Sequence, residues 1–308
     1  MSFAFFFPGQ GSQSLNMMNG FDGQTVIKAT FDEASAVLGQ DLWAMINGEH
    51  AETINETVNT QPLMLAAGIA TYRAYLEAGG KEPSVMAGHS LGEYTALVVA
   101  GSLSFVDALK LVRLRAELMQ SAVPQGTGSM AAILGLDDDA VRAVCAEAAQ
   151  GEVVEAVNFN SPGQVVIAGS IAAVERAIET AKAKGAKRAL PLPVSVPSHC
   201  LLMKPAAEKL AEALKAVDIQ PPKIPVSHKA DVAAYNNAEQ SKDALVRQLY
   251  SPVRWTETVN ALVAQGIIQS AECGPGKVLA GLAKRINKEA SCSALTNTEQ
   301  VSAFIAAH

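Results

Sequence analysis

Val85-Met86-Ala87-Gly88-His89-Ser90-Leu91-Gly92-Glu93-Tyr94 decides the fold. A short apolar run, Val85 to Ala87, reads as a strand, and Tyr94 to Ala100 reads as the helix that follows a sharp turn. The G-x-S-x-G turn carries its central residue in a strained backbone conformation that exposes the hydroxyl, while glycine at 88 and 92 lets strand and helix come close. The helix behind it aims unpaired N–H groups at negative charge forming beside Ser90. The strand before and the helix after distinguish this turn from a chance pentapeptide in an ordinary loop.

The chain around it has 308 residues, 49% of them hydrophobic and 18% charged, with a net charge of −6. That is a globular composition with enough length for a sizeable core. The charge gives no global field for nucleic acid or an anionic membrane. Cys145, Cys200, Cys273 and Cys292 form no C-x-x-C pair, which points to reduced thiols in a cytoplasmic protein rather than to zinc or a disulfide framework. Phe3 to Phe7 lacks a basic lead and a cleavage site and ends at Pro8-Gly9, so it reads as a buried strand.

The turn Pro8-Gly9-Gln10-Gly11-Ser12-Gln13 has no Gly-Lys-Ser/Thr after it and brings backbone N–H groups, not a Walker phosphate site, near a reaction centre. Helices are expected over Thr25 to Leu38 and over Pro62 to Glu77, with Pro62 at the first helical position. This βα alternation predicts a mostly parallel sheet covered by helices.

In the helix expected from Ser104 to Ala122, Ala108, Leu111, Val112, Leu118, Met119 and Ala122 share one stripe, and Arg115 falls in its middle. A guanidinium on a core-facing stripe needs an anion, either a structural carboxylate or part of a ligand. Arg113 lies off the stripe and has Glu117 four residues on, the spacing of a solvated ion pair. From about residue 127 the pattern changes. Strands at Ser129 to Leu134, Val153 to Phe159, Gln164 to Ala168 and Arg188 to Val194, with helices after Asp137-Asp138-Asp139 and around Val174 to Ala181, give the order βαββαβ. That is a split-βαβ, ferredoxin-like arrangement, placed as an insertion over 126–196 in a core formed by 1–125 and 197–308.

The chain returns through Val196-Pro197-Ser198-His199-Cys200. Helices are expected over Leu202 to Val217, Lys242 to Tyr250, Thr256 to Ala264 and Val278 to Ile286, and strands over Ile224 to Ser227 and Ile267 to Cys273. Neutral imidazole is the group best able to take the Ser90 proton. His89 is adjacent in sequence but points away in such an elbow, and His50, His228 and His308 sit in polar or terminal contexts. His199, ending a loop after the insertion, is the favoured base. No acid stands clearly between serine and histidine, since Asp137 to Asp139 read as helix caps.

Together, Pro8 to Gln13, Gly88 to Tyr94, Arg115, Asn158-Phe159-Asn160-Ser161-Pro162-Gly163-Gln164, Pro197-Ser198-His199 and Gly274-Pro275-Gly276-Lys277 closely resemble the malonyl-CoA:acyl carrier protein transacylases, in the stand-alone form of bacterial type II fatty acid synthesis. The resemblance covers nearly the whole chain and implies a hydrolase-like α/β core with a ferredoxin-like insertion, the architecture read above. It assigns Ser90 as nucleophile and His199 as base, the backbone N–H groups of Gln10 and Leu91 as oxyanion hole, and Arg115 as the clamp on a malonyl carboxylate. Gln248 matches the glutamine whose backbone carbonyl orients the histidine. Two departures stand out: Ser227-His228-Lys229-Ala230-Asp231 replaces an Asn-Val pair common in relatives, and Ser198 stands where malonyl-loading domains of large synthases often have phenylalanine.

The resemblance implies transfer of malonyl from CoA to the phosphopantetheine thiol of acyl carrier protein through a malonyl-serine ester, without metal, ATP or redox cofactor. It allows a monomer. The acidic carrier calls for a basic docking surface, for which Lys182, Lys184, Lys187 and Arg188 on the insertion and Lys277, Lys284, Arg285 and Lys288 on the core are candidates. The other readings are a serine hydrolase, which has no use for Arg115 in an apolar stripe, and a non-catalytic carrier-binding protein, which has no use for Ser90 and His199 together.

Overall fold

The computed structural model describes residues 2–49, 51–194 and 196–308. Ten strands are β1 (Phe3–Phe7), β2 (Val85–Gly88), β3 (Gly128–Leu134), β4 (Val154–Ser161), β5 (Gln164–Ser170), β6 (Arg188–Pro191), β7 (Val226–His228), β8 (Ala233–Ala234), β9 (Gln269–Cys273) and β10 (Ser291–Leu295). They form two sheets. The larger runs β10-β9-β1-β2-β7-β8 and is parallel except for β8. The smaller runs β4-β5-β3-β6, antiparallel throughout, which is the strand order of a split βαβ unit. The expected α/β class, a parallel core with a ferredoxin-like insertion, is what the chain adopts.

β1 lies at the centre because its five residues can be buried on both faces. Phe3, Phe5 and Phe7 enter one cluster, where Phe5 meets Tyr75 with ring centroids 4.9 Å apart. Ala4 and Phe6 enter the opposite one, where Phe6 meets Trp255 at 5.0 Å. Each buried phenylalanine contributes about 2 kcal/mol from removed apolar surface, so this strand anchors the helices on both sides. At its carboxyl end the chain must turn, and the loops after β1 and β2 meet there. Open parallel sheets form ligand crevices outside the carboxyl ends of their strands, at such a point.

Several boundaries differ from expectation. The helix expected to begin at Pro62 begins at Thr57 and holds Pro62 inside. The amides of Asn59 and Thr60 both donate to the Glu56 carbonyl, so a first turn forms ahead of the proline. The strand expected to reach Val194 ends at Pro191, with only Leu192 between it and Pro193, which has no N–H to give a ladder. Conversely, β4 runs through Asn160 and Ser161, leaving only Pro162-Gly163 as the turn. Helix Lys204–Leu214 is shorter than expected, and helix Ala238–Arg247 starts four residues earlier, capped by the Asn237 side chain. Arg113 donates to the Gln40 side chain instead of pairing with Glu117, because the helix packs against the end of helix Thr25–Leu38. No helix among the described residues is long and apolar enough to cross a membrane.

Candidate active site

The elbow is built by steric necessity. A Cβ on Gly88 would stand 2.0 Å from the Glu93 amide nitrogen, and one on Gly92 would stand 1.9 Å from the Phe7 carbonyl oxygen. Both distances are impossible for any other residue, so strand and helix approach this closely only through glycine. Between them Ser90 takes φ 52°, a left-handed conformation rare for a side-chain-bearing residue. Such strain is held by its surroundings, and here it lifts the hydroxyl into a cavity of about 350 Å³. The cavity is walled by the core on one side and by Met130, Asn158, Leu192 and Val194 of the insertion on the other.

His199 meets Ser90 across the crevice, with Nε2 2.8 Å from Oγ. The histidine is itself left-handed, φ 69°, and is docked on the end of helix Ala238–Arg247. Its backbone N–H donates to the Leu249 carbonyl at 3.0 Å, and its Nδ1 lies 2.9 Å from the Gln248 carbonyl. A carbonyl only accepts, so Nδ1 carries the hydrogen and Nε2 is bare toward the serine hydroxyl. Carbonyls at a helix C-terminus are unsatisfied within the helix and carry its negative dipole end. They therefore favour an imidazolium as a carboxylate would. Burial, helped by the Arg115 charge, holds the His199 ring well below its ordinary pKa, so the neutral base is present at neutral pH.

Arg115 is 1% exposed. Its Nη1 donates to Gln61 Oε1 at 2.8 Å, and its Nη2 to Gln248 Oε1 at 3.0 Å and to Ser90 Oγ at 3.3 Å. The guanidinium also lies 5.5 Å from the Tyr94 ring centre. Of the two anions open to it from the sequence, the structural carboxylate is not there: its partners are neutral amide oxygens, and no ion pair among the described residues includes it. Among the described residues its Nε has no hydrogen-bond partner. A buried cation positioned by dipoles, with its charge uncompensated at the serine, is built to receive an anion from outside.

Gln10 and Leu91 line the same cavity, and no hydrogen bond among the described residues uses either amide. His89 points away from the serine, with Nε2 2.9 Å from Asn160 Oδ1. His308 packs on Phe304 at the chain's end, and His50 lies outside the described residues. Ser90, His199, Arg115, Gln248, Gln10 and Leu91 are thus brought together.

His228, placed from the sequence in a polar context, has that context inside the molecule. It is fully buried, with Nδ1 2.6 Å from Glu93 Oε1, because β7 runs beside β2 inside the sheet. Glu93 also accepts from the Lys229 amide at 3.1 Å and from Gln248 Nε2 at 3.0 Å. Burial alone raises a carboxyl's pKa, yet His228 and the hydrogen bond from the Lys229 amide hold this one below its ordinary value. Glu93, His228, Lys229 and Gln61 were not singled out as site residues from the sequence. Glu93 stood in the elbow motif and the next two in the unusual stretch after β7, but Gln61 gave no signal at all.

Residues 4–297 match the acyl transferase domain family. The chain is 55% identical over 304 residues to the malonyl CoA-acyl carrier protein transacylase of Escherichia coli K12, covering 98% of each. It is 46% identical over 300 residues to that of Bacillus subtilis, covering 97% of this chain and 94% of the relative. Among solved structures, the acyl-carrier-protein S-malonyltransferase of Burkholderia pseudomallei superposes with a TM-score of 0.98 at 56% identity, over 99% of this chain and 100% of that one. A malonyl-transacylase in complex with its type II PKS acyl-carrier protein superposes equally well, with a TM-score of 0.98 at 53% identity over the whole of both chains. By sequence over nearly its full length and by its fold, the chain belongs to the acyl transferase domain family.

Proposed function

We propose that the chain moves a malonyl group from CoA to the phosphopantetheine thiol of acyl carrier protein, as its relatives' names state for them. One observation carries the reading: a buried guanidinium without a carboxylate partner, 3.3 Å from the serine hydroxyl. A hydrolase or a carrier-binding protein has no use for such a cation, whereas an acyl group ending in a carboxylate needs it.

In this reading Ser90 Oγ attacks the thioester carbonyl while His199 Nε2 takes its proton, and the amides of Gln10 and Leu91 hold the oxyanion. The C–S bond then breaks, and His199 returns the proton to the CoA thiolate. The carrier thiol attacks the malonyl-serine ester by the same steps reversed. One thioester replaces another, so the exchange needs no cofactor. The wall formed by residues 126–196 limits water's access to the ester. One copy of the chain holds every group the cycle uses. With all four cysteines unbridged, the reading places the enzyme in the cytoplasm.

The two basic groups differ in how free they are to meet an acidic carrier. Lys182 pairs with Glu179 and Lys184 with Glu147. No ion pair among the described residues includes Lys277, Lys284, Arg285 or Lys288, and all four are exposed. The second group is therefore the better docking surface.

The test is intact mass after mixing with malonyl-CoA alone. A single malonyl adduct on the wild type and none on Ser90→Ala is expected. CoA release with unmodified protein overturns the reading in favour of a hydrolase, and intact malonyl-CoA overturns it in favour of a binding protein.

A further inference from the structure

The unusual stretch after β7 puts a second nitrogen base behind the first. Lys229 is 1% exposed. Its Nζ lies 3.0 Å from the Gln248 carbonyl oxygen, 3.1 Å from the Ser251 carbonyl oxygen and 3.1 Å from His199 Nδ1. The two carbonyls can only accept, so they engage two N–H bonds of the lysine. The third neighbour is the nitrogen that must itself carry a hydrogen if Nε2 is to stay bare for Ser90. An ammonium has three N–H bonds and no lone pair. Its third N–H would face Nδ1 and favour the other tautomer, in which Nε2 holds a hydrogen and cannot take the serine's. A neutral amine has two N–H bonds and one lone pair, which satisfies all three neighbours.

Charge counting agrees. The charged and titratable groups facing this buried space are Glu93 on helix Gly92–Val99, Arg115 on helix Phe105–Ser121, His89 in the elbow, His199 in its loop and His228 on β7. Among the described residues Glu93 is the one carboxylate here, too few for both the Arg115 guanidinium and a Lys229 ammonium. Burial and Arg115 push the Lys229 ammonium well below its ordinary range, against the opposing pull of Glu93.

Resting on the acyl-transfer reading above, we propose that Lys229 is a neutral amine that positions His199 from behind, holding the tautomer that accepts the serine proton. When Ser90 attacks the thioester and the ring becomes imidazolium, Nδ1–H is shared between the Gln248 carbonyl and the Lys229 lone pair. Lys229 touches no reacting atom and is a positioning residue. Like the acid of a triad it orients histidine once it has lost its proton, but a protonated lysine would set a second cation 3.1 Å from the imidazolium. The acidic limb of the acylation profile then belongs to the His199–Lys229 pair and not to either residue alone.

The test uses the full chain labelled with 15N-histidine and 13Cε-lysine. At neutral pH the wild type is expected to show His199 as the Nδ1–H tautomer and one lysine at the shift of a free amine, absent in Lys229→Met. Acylation by malonyl-CoA should slow about 10- to 100-fold in Lys229→Met with KM little changed and the acidic limb moved. It should slow further in Lys229→Arg, which fixes a cation there. Ammonium shifts for every lysine, or a Met variant with the wild-type pH profile, overturn the proposal. If neither variant folds, the wild-type spectra decide. A wild type that acylates yet shows only ammonium shifts removes the lysine's role and keeps the transfer reading; a wild type that never acylates removes the transfer reading, and its spectra still report the state of Lys229.

Discussion

The two sheets hold their polar groups in opposite ways. Across the described part of residues 126–196, Ser161 is the only polar side chain that is buried. The insertion's ion pairs, Arg142–Asp139, Arg176–Glu152, Lys182–Glu179 and Lys184–Glu147, all lie at the surface. Its interior is a plain amphipathic sandwich of residues such as Val144, Val165, Ile167 and Val174. The core, by contrast, buries Glu93, Arg115, His199, His228, Lys229 and Glu272. Burying charge costs stability unless every group is partnered. The contrast teaches that the core carries the chemistry at the expense of stability, while the insertion is an ordinary folded wall that shapes the cleft.

Arg115→Ala is the hardest blow to the core side. Malonyl transfer should fall on the order of 10²–10³-fold, with acetyl transfer from acetyl-CoA retained, as measured by acyl-enzyme formation from each donor. Equal loss on both would mean that the guanidinium is structural. Ile167→Ala tests the other side. Deleting this buried side chain should cost about 3 kcal/mol in urea unfolding while leaving acylation per folded molecule within about twofold. Acylation lost beyond the unfolded fraction would make the wall part of the catalytic geometry.

Glu272 sharpens the comparison through pH. Burial raises its carboxyl from 4.5 to about 7, although the Ala280 amide of the following helix donates to it at 2.8 Å. Among the described residues its Oε1 has no hydrogen-bond partner. The native state thus keeps a proton that the unfolded chain releases between about pH 4.5 and 7. Stability is full below that window and falls as pH rises through it, by at most about 3 kcal/mol. Glu272→Gln should flatten the dependence of Tm on pH over that range, and an unchanged slope would assign the proton elsewhere. The smallest effect is expected at the surface. Reversing the charges of Lys284 and Arg285 should raise the KM for carrier about 5- to 10-fold at low salt with acylation by malonyl-CoA unchanged; an unaltered KM would move docking to the insertion.

The elements that the sequence announced share a physical property: their signal is local. The Gly88–Gly92 turn is dictated by contacts between neighbours in the chain, the apolar run at Phe3 to Phe7 needs burial on both faces, and the stripe around Arg115 follows helical spacing. Helices Thr25–Leu38 and Val278–Ile286 begin and end where expected. The start at Thr57 was hidden because a proline usually marks a first turn, and here the turn forms before it. The burial of His228 was not legible because polar flanking residues say nothing about β7 lying beside β2 in the sheet.

The sequence by itself determined the class of fold, the serine at the tip of the elbow and the presence of a cation among apolar neighbours, since each follows from spacing within a few residues. Only the tertiary structure decided what that cation pairs with and what stands behind the histidine. Gln61, Gln248, Glu93 and Lys229 come from four separate segments, and hydrogen-bond partners chosen across such distances are set by how helices and strands pack, which no local pattern records.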